Sequence, residues 1–254
     1  MTRVLTLNLQ HGLSREGTAT SAEELAGAVS GLEVDVLALQ EVDRGQPRSG
    51  GVDQARVVAD ALGLPHVRFA AALTGDVRKG KSSPSRWGTA DGAAYGLAIA
   101  SRWPVLAWFV KPLPRLPVRH PVLAGGQLKL RDDEQRGALA AVLQTPQGQL
   151  SVTCAHLSLL GPVAAVQLRN LLRSVATMPG PALVCGDLDL DPWALRPLAP
   201  GWQLPRALTF PARAPRRQID HVLARGIAID RVEAVELPVS DHRGLLATLR
   251  PTEA

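Results

Sequence analysis

The densest group of potential catalytic residues in the chain is a run of three alternating acids, Asp187, Asp189 and Asp191. The apolar run 181–185 before them predicts a buried strand, and Gly186 then frees the backbone. Side chains two positions apart on a strand lie on the same side, so the alternation places all three carboxylates on one face. Carboxylates crowded in this way are expected to bind a cation or to transfer protons. The alternative is a solvated acidic turn before Pro192, because Asp and Pro are common turn residues.

Further polar residues lie at or beside the ends of predicted strands. These residues are Asn8, Glu41, His156, Asp220, Asp241 and His242. Because strand ends in a packed sheet domain gather at one edge, we expect these side chains and the acids to converge on one cleft. Taken singly, Glu41 could be a solvated acid, and His156 could be a core histidine bonded to a carbonyl group.

The residue types limit the chemistry of such a cleft. Carboxylate and amide oxygens are hard ligands that suit Mg²⁺ or Mn²⁺, whereas a zinc site would need more imidazole or thiolate at close spacing. A histidine paired with a carboxylate has a fixed tautomer and a raised pKa, which suits proton transfer or charge stabilisation. Together, these groups fit the attack of water on phosphorus.

The elements that must position these residues begin as strand, helix, strand, helix, which is typical of an α/β fold. Hydrophobic periodicity predicts strands at 4–9, 34–39, 66–73, 95–100, 126–130, 137–143, 149–157 and 245–249, with two more ending near Asp187 and starting at Gln218. Helices are predicted at 21–31, 53–62 and 162–178. The proline-spaced segment 112–121 should lie at an edge or over the surface.

The composition predicts one globular domain over residues 1–254, rich in turns because the chain has 20 prolines and 23 glycines. The net charge of +5 favours a polyanionic partner such as nucleic acid or an anionic lipid surface, although the same arginine bias could come from the base composition of the gene. Both cysteines lie in apolar runs, so we expect two buried thiols in a cytoplasmic protein. We also expect a monomer without a signal peptide or a membrane span.

The long polar connection 74–94 carries basic residues at Arg78, Lys79, Lys81 and Arg86. Its segment 75–82 matches the spelling of a phosphate-binding P-loop, but that motif needs a helix to start at Lys81, and Pro84 and Gly88 follow instead. We therefore expect a mobile loop that faces the substrate, or a plain solvated loop.

Six short motifs occur in the order found in a known superfamily. They are Thr6-Leu7-Asn8, Leu39-Gln40-Glu41, Ala155-His156-Leu157, Gly186-Asp187-Leu188-Asp189, Ile219-Asp220-His221-Val222 and Ser240-Asp241-His242. In this order they resemble the endonuclease/exonuclease/phosphatase superfamily with the DNase I-like fold. The resemblance extends from residue 4 to residue 249 and implies a four-layered αββα sandwich.

The resemblance also implies a role for each site residue. Glu41 would be the principal ligand of Mg²⁺ or Mn²⁺, with Asn8 beside it and Asp241 helping to hold metal or water. Asp187 would orient and deprotonate the attacking water. His242, aligned by Asp220, would stabilise charge on the phosphorus, and His156 would steady or protonate the leaving group. Arg136 resembles an arginine that grips phosphate, and its alternative is a surface arginine.

One position departs from the superfamily pattern, which usually has Asn where this chain has Asp189. An ionised carboxylate cannot donate the hydrogen bond that an amide can, so Asp189 must be protonated, metal-bound or turned aside. We interpret it as an additional metal ligand. No motif includes His11, His66 or His120, and we expect these to be ordinary residues.

Three functions remain open on the sequence. The first is a Mg²⁺-dependent phosphodiesterase, a nuclease acting on nucleic acid, supported by the basic connection and by the arginine-rich, acid-free segment 206–218. The second is a phosphatase or a phospholipase-type enzyme acting on a small or lipid phosphoester. The third is a phosphate-binding module with an inactive site, which only Asp189 suggests.

Overall fold

Two stacked β-sheets with helices on their outer sides form the architecture. The computed structural model describes residues 1–77, 83–84, 92–115, 119–124 and 127–250, with the backbone alone at 119–124 and 127–132. The strands are β1 (Thr2–Asn8), β2 (Val36–Arg44), β3 (His66–Thr74), β4 (Ser83–Pro84), β5 (Ala94–Ser101), β6 (Val105–Pro112), β7 (Arg119–Ala124), β8 (Gln127–Asp132), β9 (Gly137–Thr145), β10 (Gly148–His156), β11 (Ala182–Asp187), β12 (Asp220–Arg225), β13 (Ile229–Val235) and β14 (Gly244–Leu249). The helices are α1 (Ala22–Val29), α2 (Gln54–Ala61), α3 (Gly161–Val175) and α4 (Pro192–Leu195).

The strands form a seven-stranded sheet in the order β13-β14-β1-β2-β5-β3-β4 and a five-stranded sheet in the order β12-β11-β10-β9-β6. Strands β7 and β8 pair only with each other within the described residues. Three apolar layers hold the fold together: one between α1, α2 and the first sheet, one between the two sheets, and one between the second sheet and α3. The four-layered αββα sandwich expected from the sequence is confirmed.

Parallel pairing at the centre of each sheet brings the functional strand ends together. In the first sheet β1 runs parallel to β2, and Asn8 lies opposite Gln40. In the second sheet β10 runs parallel to β11, so that His156 lies opposite Asp187, while antiparallel β12 places Asp220 on the other side of Asp187. Both sheets therefore present their polar strand ends at the same edge of the sandwich.

The buried side chain of Gln40 connects the two sheets just below this edge. Its Nε2 donates to Thr6 Oγ1 (3.1 Å) within the first sheet and to Cys154 Sγ (3.1 Å) in the second. The Cys154 thiol donates in turn to the carbonyl of Leu39 (3.2 Å). Cys154 and Cys185 are both free and buried, which confirms the expected thiols, and burial raises the pKa of Cys154 to about 12.

Most elements agree with the sequence predictions to within three residues. Helix α1 is longer in the prediction than in the structure, but its start is confirmed by Ser21, which forms a capping box with Glu24. Strands β4, β6, β7 and β13 are not predicted. Strands β6 and β13 are edge strands with mixed burial and therefore lack a clear alternation. Residue 126, the first of one predicted strand, lies outside the described residues.

The basic connection after β3 is described only in part. Arg78, Lys79, Lys81 and Arg86 lie outside the described residues, so their predicted contact with substrate stays a prediction. Ser83–Pro84 forms β4 and pairs with Leu73 and Thr74, which is inconsistent with the helix that a P-loop would require here. No helix in the described parts of the chain is long and apolar enough to cross a membrane.

Candidate active site

Asn8 joins the two sheets at the floor of the cleft. It is the last residue of β1 and is buried, and its Nδ2 donates to Glu41 Oε1 (3.2 Å) and to Asp187 Oδ2 (2.9 Å). Its Oδ1 accepts a hydrogen bond from the backbone amide of Gln10 (3.0 Å), which fixes the orientation of the side-chain amide. A single amide group therefore separates Glu41 of the first sheet from Asp187 of the second.

Glu41 faces the cleft because the backbone of β2 is irregular at this point. Its φ is +54°, and the register between β2 and β5 shifts between Leu39 and Val42. Such a bulge redirects a side chain that would otherwise continue the strand alternation. Burial raises the pKa of Glu41, against the hydrogen bond from Asn8 and the positive charge of Arg136. A cation beside this carboxylate would offset the cost of burying its charge.

Asp187 occupies the centre of the site, at the end of β11. Its Oδ2 lies 3.7 Å from Nε2 of His156 and 3.8 Å from Nε2 of His242. Its Oδ1 accepts a hydrogen bond from the backbone amide of Asp189 (3.2 Å). Burial, and then the negative charges of Asp189 and Asp220, raise the pKa of Asp187 well above its ordinary value. The carboxyl group is thus aimed at the cleft and is an unusually strong base when ionised.

His242 and Asp220 form a buried pair beside Asp187. His242 Nδ1 lies 2.9 Å from Asp220 Oδ2, and its ring packs against Phe210 with the ring centroids 4.9 Å apart. Burial alone would lower the pKa of His242, but the charge and hydrogen bond of Asp220 outweigh it and raise that pKa to about 10. His242 is therefore an imidazolium at neutral pH, with its Nε2–H directed at the cleft.

His156 has the opposite protonation state on the other side of Asp187. Arg136 NH1 lies 2.8 Å from its Nδ1. Because a guanidinium only donates hydrogen bonds, Nδ1 must accept, and the ring proton is on Nε2. Burial and the nearby charges of Arg136 and His242 lower the pKa of His156 well below its ordinary value. His156 is thus a neutral imidazole whose Nε2–H faces the acids.

Arg136 itself is buried rather than a surface arginine. Only 7% of its surface is exposed, and the guanidinium lies 3.5 Å from Glu134 in addition to its contact with His156. Its Nε is buried and has no hydrogen-bond partner among the described residues. A buried donor without a partner is costly, so this group is suited to an anionic ligand.

Asp189 remains in the site, whereas Asp191 leaves it. Asp189 Oδ2 is 3.8 Å from His156 Nε2, is buried, and has no hydrogen-bond partner within the described residues. Burial raises the pKa of Asp189 to about 6, so the carboxylate is largely ionised at neutral pH. The prediction of three acids on one face is wrong for Asp191, because the strand ends at Asp187 and Asp189 has a φ of +50°. Asp191 instead pairs with Arg217.

Asp241 lies at the rim, half-exposed, with Oδ1 3.9 Å from His242 Nε2. Burial raises its pKa. Its backbone amide donates to Gln10 Oε1 (3.1 Å), and the preceding Ser240 donates from Oγ to the carbonyl of Asn8 (2.6 Å). These two bonds attach the segment that carries Asp241 and His242 to the end of β1.

Left-handed backbone at non-glycine residues is concentrated at this cleft. The described residues with this conformation are Gln10, His11, Glu41, Asp189 and Ser240. The first four line the cleft. Ser240 directly precedes Asp241 and donates a hydrogen bond to the carbonyl of Asn8. Each such residue costs about 1–3 kcal/mol and is held in place only by its surroundings. The strained backbone is therefore concentrated where it orients side chains toward the cleft.

His11 and Arg48 are two of the cleft-wall residues that the sequence prediction does not include. His11, expected to be an ordinary residue, lines the cleft, and burial together with the charge of Arg48 lowers its pKa to about 4. Arg48 lines the same wall and is held by two hydrogen bonds to the fully buried carboxylate of Asp43 (2.8 and 2.7 Å). The position of His11 three residues after Asn8, at which the first motif ends, is the signal that could have indicated it. His66 does not line the cleft, and the side chain of His120 lies outside the described part of the chain.

Gly186 allows β10 and β11 to approach closely under the site. Its φ is +145°, and a Cβ atom at this position would lie 1.9 Å from the carbonyl oxygen of Ala155. No side chain can occupy that space without moving a strand. The spacing between His156 and Asp187 therefore depends on this glycine.

The donor set of the cleft, which has a volume of ≈ 750 Å³, fits a hard divalent cation. Among the described residues, His156, Asp187 and Asp189 offer ligand atoms within 4.8 Å of one another, as do Asp187, Asp220 and His242. The second set is already used by the Asp220–His242 pair, and in the first set Arg136 occupies the one acceptor nitrogen of His156, so Asp189 together with Glu41 fits a cation better. Buried carboxylates with raised pKa values and an unpartnered Asp189 oxygen are what a cation would stabilise.

The sequence and the fold of the whole chain can be compared with those of known proteins. A family model described as Endonuclease/Exonuclease/phosphatase family matches residues 5–242. No curated protein matches the sequence. An endonuclease/exonuclease/phosphatase from Beutenbergia cavernae has a similar structure, with a TM-score of 0.70 and 21% identity over 100% of this chain and 72% of that chain.

Two further solved structures resemble the chain over nearly their whole length. Sphingomyelinase C from Streptomyces griseocarneus has a TM-score of 0.60 and 16% identity, covering 97% of this chain and 98% of that chain. A mannosyl-6-phosphatase from Bacteroides thetaiotaomicron has a TM-score of 0.63 and 14% identity, covering 98% and 100%. At these identities the likeness shows a common DNase I-like fold and leaves the choice of substrate to the residues around the cleft.

Proposed function

The chain belongs to the endonuclease/exonuclease/phosphatase family of phosphoester hydrolases, and on this premise we propose that it is a Mg²⁺-dependent phosphodiesterase that cleaves nucleic acid. The observation that carries the proposal is the position of Asp187 between an imidazolium and a neutral imidazole. A base flanked by two donors of different charge suits a reaction in which water attacks a phosphodiester and a negatively charged group leaves.

Glu41 and Asp189 would hold the metal ion, with Asn8 and Asp241 beside them. When bound, Mg²⁺ supplies Lewis-acid polarisation of a phosphoryl oxygen and lowers the pKa of bound water. Asn8 has a second task in this arrangement, because its amide holds the carboxylates of Glu41 and Asp187 in fixed orientations. Asp189 replaces the usual amide, and an added negative charge at this position strengthens cation binding.

Asp187 acts as the base in this proposal. Its raised pKa brings the carboxylate closer to neutral pH, where a base accepts a proton most effectively. The amides of Asn8 and Asp189 direct its two oxygens, one toward each sheet. The proton of the attacking water passes to this carboxylate as the oxygen approaches phosphorus.

His242 and His156 stabilise the developing charge. His242 stays protonated because of Asp220 and donates from Nε2 to an oxygen of the pentavalent phosphorus. His156 donates from Nε2 at the leaving side, and Arg136 holds it in the tautomer that can do so. The partnerless Nε of Arg136 supports its role in gripping a phosphate oxygen.

Nucleic acid is favoured as the substrate by the charge beside the cleft. The segment 206–217 carries four arginines and no acid. Arg213 pairs with Glu16 and Arg217 with Asp191, whereas Arg206 and Arg216 are exposed and form no ion pair within the described part of the chain. Exposed cations that are not neutralised suit a phosphate backbone longer than one phosphoester.

The proposal is tested with purified protein, Mg²⁺ and five substrates in parallel: plasmid, single-stranded DNA, RNA, bis(p-nitrophenyl) phosphate and p-nitrophenyl phosphate. We expect hydrolysis of nucleic acid and of the diester, with His242→Ala reducing kcat by about 10²-fold or more. Phe109→Ala, a change at an exposed residue away from the cleft, is the matched control and should leave the rates unaltered. Rapid turnover of the monoester with nucleic acid left intact would instead identify a phosphatase.

A further inference from the structure

Trp193 is the most exposed large aromatic residue in the described part of the chain. It is 78% exposed, although tryptophan is on average highly buried. It is the second residue of α4, directly after Pro192, and the buried Leu195 forms the inward face of that helix. The fold therefore packs α4 through Leu195 and leaves the indole of Trp193 largely in solvent among the described residues.

The indole lies on one wall of a groove of ≈ 650 Å³, here called the Trp193 groove. Its other principal residues are Asp191, Arg206, Leu208, Arg216 and Arg217. Leu208 is half-exposed, so two apolar side chains face a concave and mostly basic surface. Arg217 lines both this groove and the catalytic cleft, and the two spaces are therefore neighbours.

The charge of the groove differs from that of the cleft. Asp191 neutralises Arg217 through two hydrogen bonds (3.2 and 3.0 Å) and fixes it at the boundary. Arg206 and Arg216 form no ion pair with any described residue, so within that part of the chain the groove has two uncompensated positive charges beside an exposed indole. An aromatic face next to unpaired guanidinium groups matches one class of ligand, a base attached to a phosphate chain.

We propose that the Trp193 groove binds a nucleotide adjacent to the scissile phosphate of a single-stranded nucleic acid, an assignment that rests on the proposed function. The base stacks on Trp193 with Leu208 at its edge. Arg206 and Arg216 bind the phosphates that flank this nucleotide, and Arg217 marks the passage of the strand into the cleft. The groove thus supplies affinity for the polymer, while the cleft supplies the chemistry.

A single strand is favoured over a duplex because stacking on a side chain needs a base with a free face. A membrane surface is the competing partner, since exposed tryptophan also suits a lipid interface. The indole here borders a concave groove with arginines around it, whereas insertion into lipid needs an apolar surface that projects. The groove geometry therefore favours the nucleotide.

Binding is measured first and without catalysis, in EDTA. Wild type and Trp193→Phe are titrated with a ten-residue oligothymidylate, and the difference between their tryptophan fluorescence isolates the signal of Trp193. We expect quenching of this signal by the single strand, weaker quenching by a ten-base-pair duplex, and none by anionic phospholipid vesicles. Trp193→Ala should weaken binding of the single strand by about 10-fold, because stacking of a base contributes on that order. Phe109→Ala is again the matched control.

The arginines are tested by salt dependence. In Arg206→Gln/Arg216→Gln, the slope of log binding constant against log salt concentration should become shallower by about 0.7 for each phosphate that the protein no longer binds. A shift of the Trp193 signal with vesicles alone, or oligonucleotide binding unaffected by Trp193→Ala, would overturn the assignment.

Hydrolysis separates the two proposals. In Trp193→Ala we expect a raised KM for the oligonucleotide at a nearly constant kcat, with Trp193→Phe restoring most of the affinity. If the oligonucleotide quenches the Trp193 fluorescence of wild type but is never cleaved, the catalytic proposal fails and the groove assignment stands. If the oligonucleotide is cleaved with an identical KM by wild type and Trp193→Ala, the groove assignment fails and the catalytic proposal stands.

Discussion

The catalytic cleft and the Trp193 groove share Arg217 but are built in opposite ways. The cleft is made of strand ends from both sheets, and its central groups are buried and hydrogen-bonded to one another. The groove is made by α4 and one segment of loop, and its indole and two arginines are exposed. We infer from this difference that the core of the sandwich determines the reaction, whereas a short surface segment determines which phosphoester can reach it.

The largest effect is expected in the cleft, from Asp187→Asn. An amide cannot accept the proton of the attacking water, so kcat should fall by about 10²- to 10⁴-fold. The matched control is Asp230→Asn, the same change at an exposed ion pair far from the cleft. Steady-state hydrolysis of bis(p-nitrophenyl) phosphate measures both variants. A kcat within about threefold of wild type, far less than the loss of a general base produces, would mean that Asp187 is not the base.

Gly186→Ala tests whether the cleft depends on the close packing beneath it. A methyl group would collide with the carbonyl of Ala155, and the φ of +145° disfavours any side chain. We expect the free energy of unfolding to fall by about 3 kcal/mol or more, since strain and overpacking add. Gly27→Ala in α1, where a Cβ meets no atom within 4 Å, should instead raise stability by about 0.5–1 kcal/mol. Urea denaturation of both variants measures these changes. Equal free energies of unfolding for Gly186→Ala and Gly27→Ala would refute this explanation.

Asp220→Asn addresses the protonation of His242. The raised pKa means that the pair stabilises the native state fully below pH 6.5 and loses this stabilisation as the pH rises through about 10. Without the charge of Asp220 the imidazolium is lost near neutral pH, and at pH 8 activity should fall by about 30-fold. The alkaline limb of the pH–rate profile should move toward neutrality in the variant. An unmoved limb would show that another group holds the proton.

Asp189→Asn restores the residue usual in the superfamily and removes a charge from the cleft. If Asp189 is a metal ligand, the Mg²⁺ concentration for half-maximal activity should rise by about 10-fold, an effect that even outer-shell partners produce. The measurement is a Mg²⁺ titration of initial rates for both proteins. Superimposable titration curves would contradict metal ligation by Asp189.

The smallest effect is expected in the groove, where Trp193→Ala should change the free energy of unfolding by no more than about 0.5 kcal/mol, because surface residues contribute little. Thermal unfolding followed by circular dichroism measures this change. A loss of several kcal/mol would show that Trp193 supports the fold, and the contrast between cleft and groove would disappear.

Local periodicity predicts most strands and helices and the convergence of the site at the strand ends, whereas the αββα sandwich follows from the resemblance of the six ordered motifs to the superfamily. Asn8, Glu41, His156 and Asp187 can be assigned to one edge once their strands are recognised. Departures occur where the backbone turns left-handed at residues other than glycine, as at His11 and Asp189. Asp and His adopt this conformation more often than most residues, but only a few per cent of non-glycine residues do so, and the residue type alone does not predict it. The contact of Arg136 with His156 also depends on packing between segments, which periodicity does not contain.

The central claim is that residues of both sheets form one metal-dependent site for phosphodiester hydrolysis. The most direct measurement is the cleavage of a labelled single-stranded oligonucleotide by wild type and Glu41→Gln, each with Mg²⁺ and with EDTA. Glu41 belongs to the first sheet, and the Asn8 amide bridges it to Asp187 of the second. We predict cleavage by wild type with Mg²⁺ and none, or a trace, under the other three conditions. Cleavage at the wild-type rate by Glu41→Gln, or by wild type in EDTA, would contradict the account.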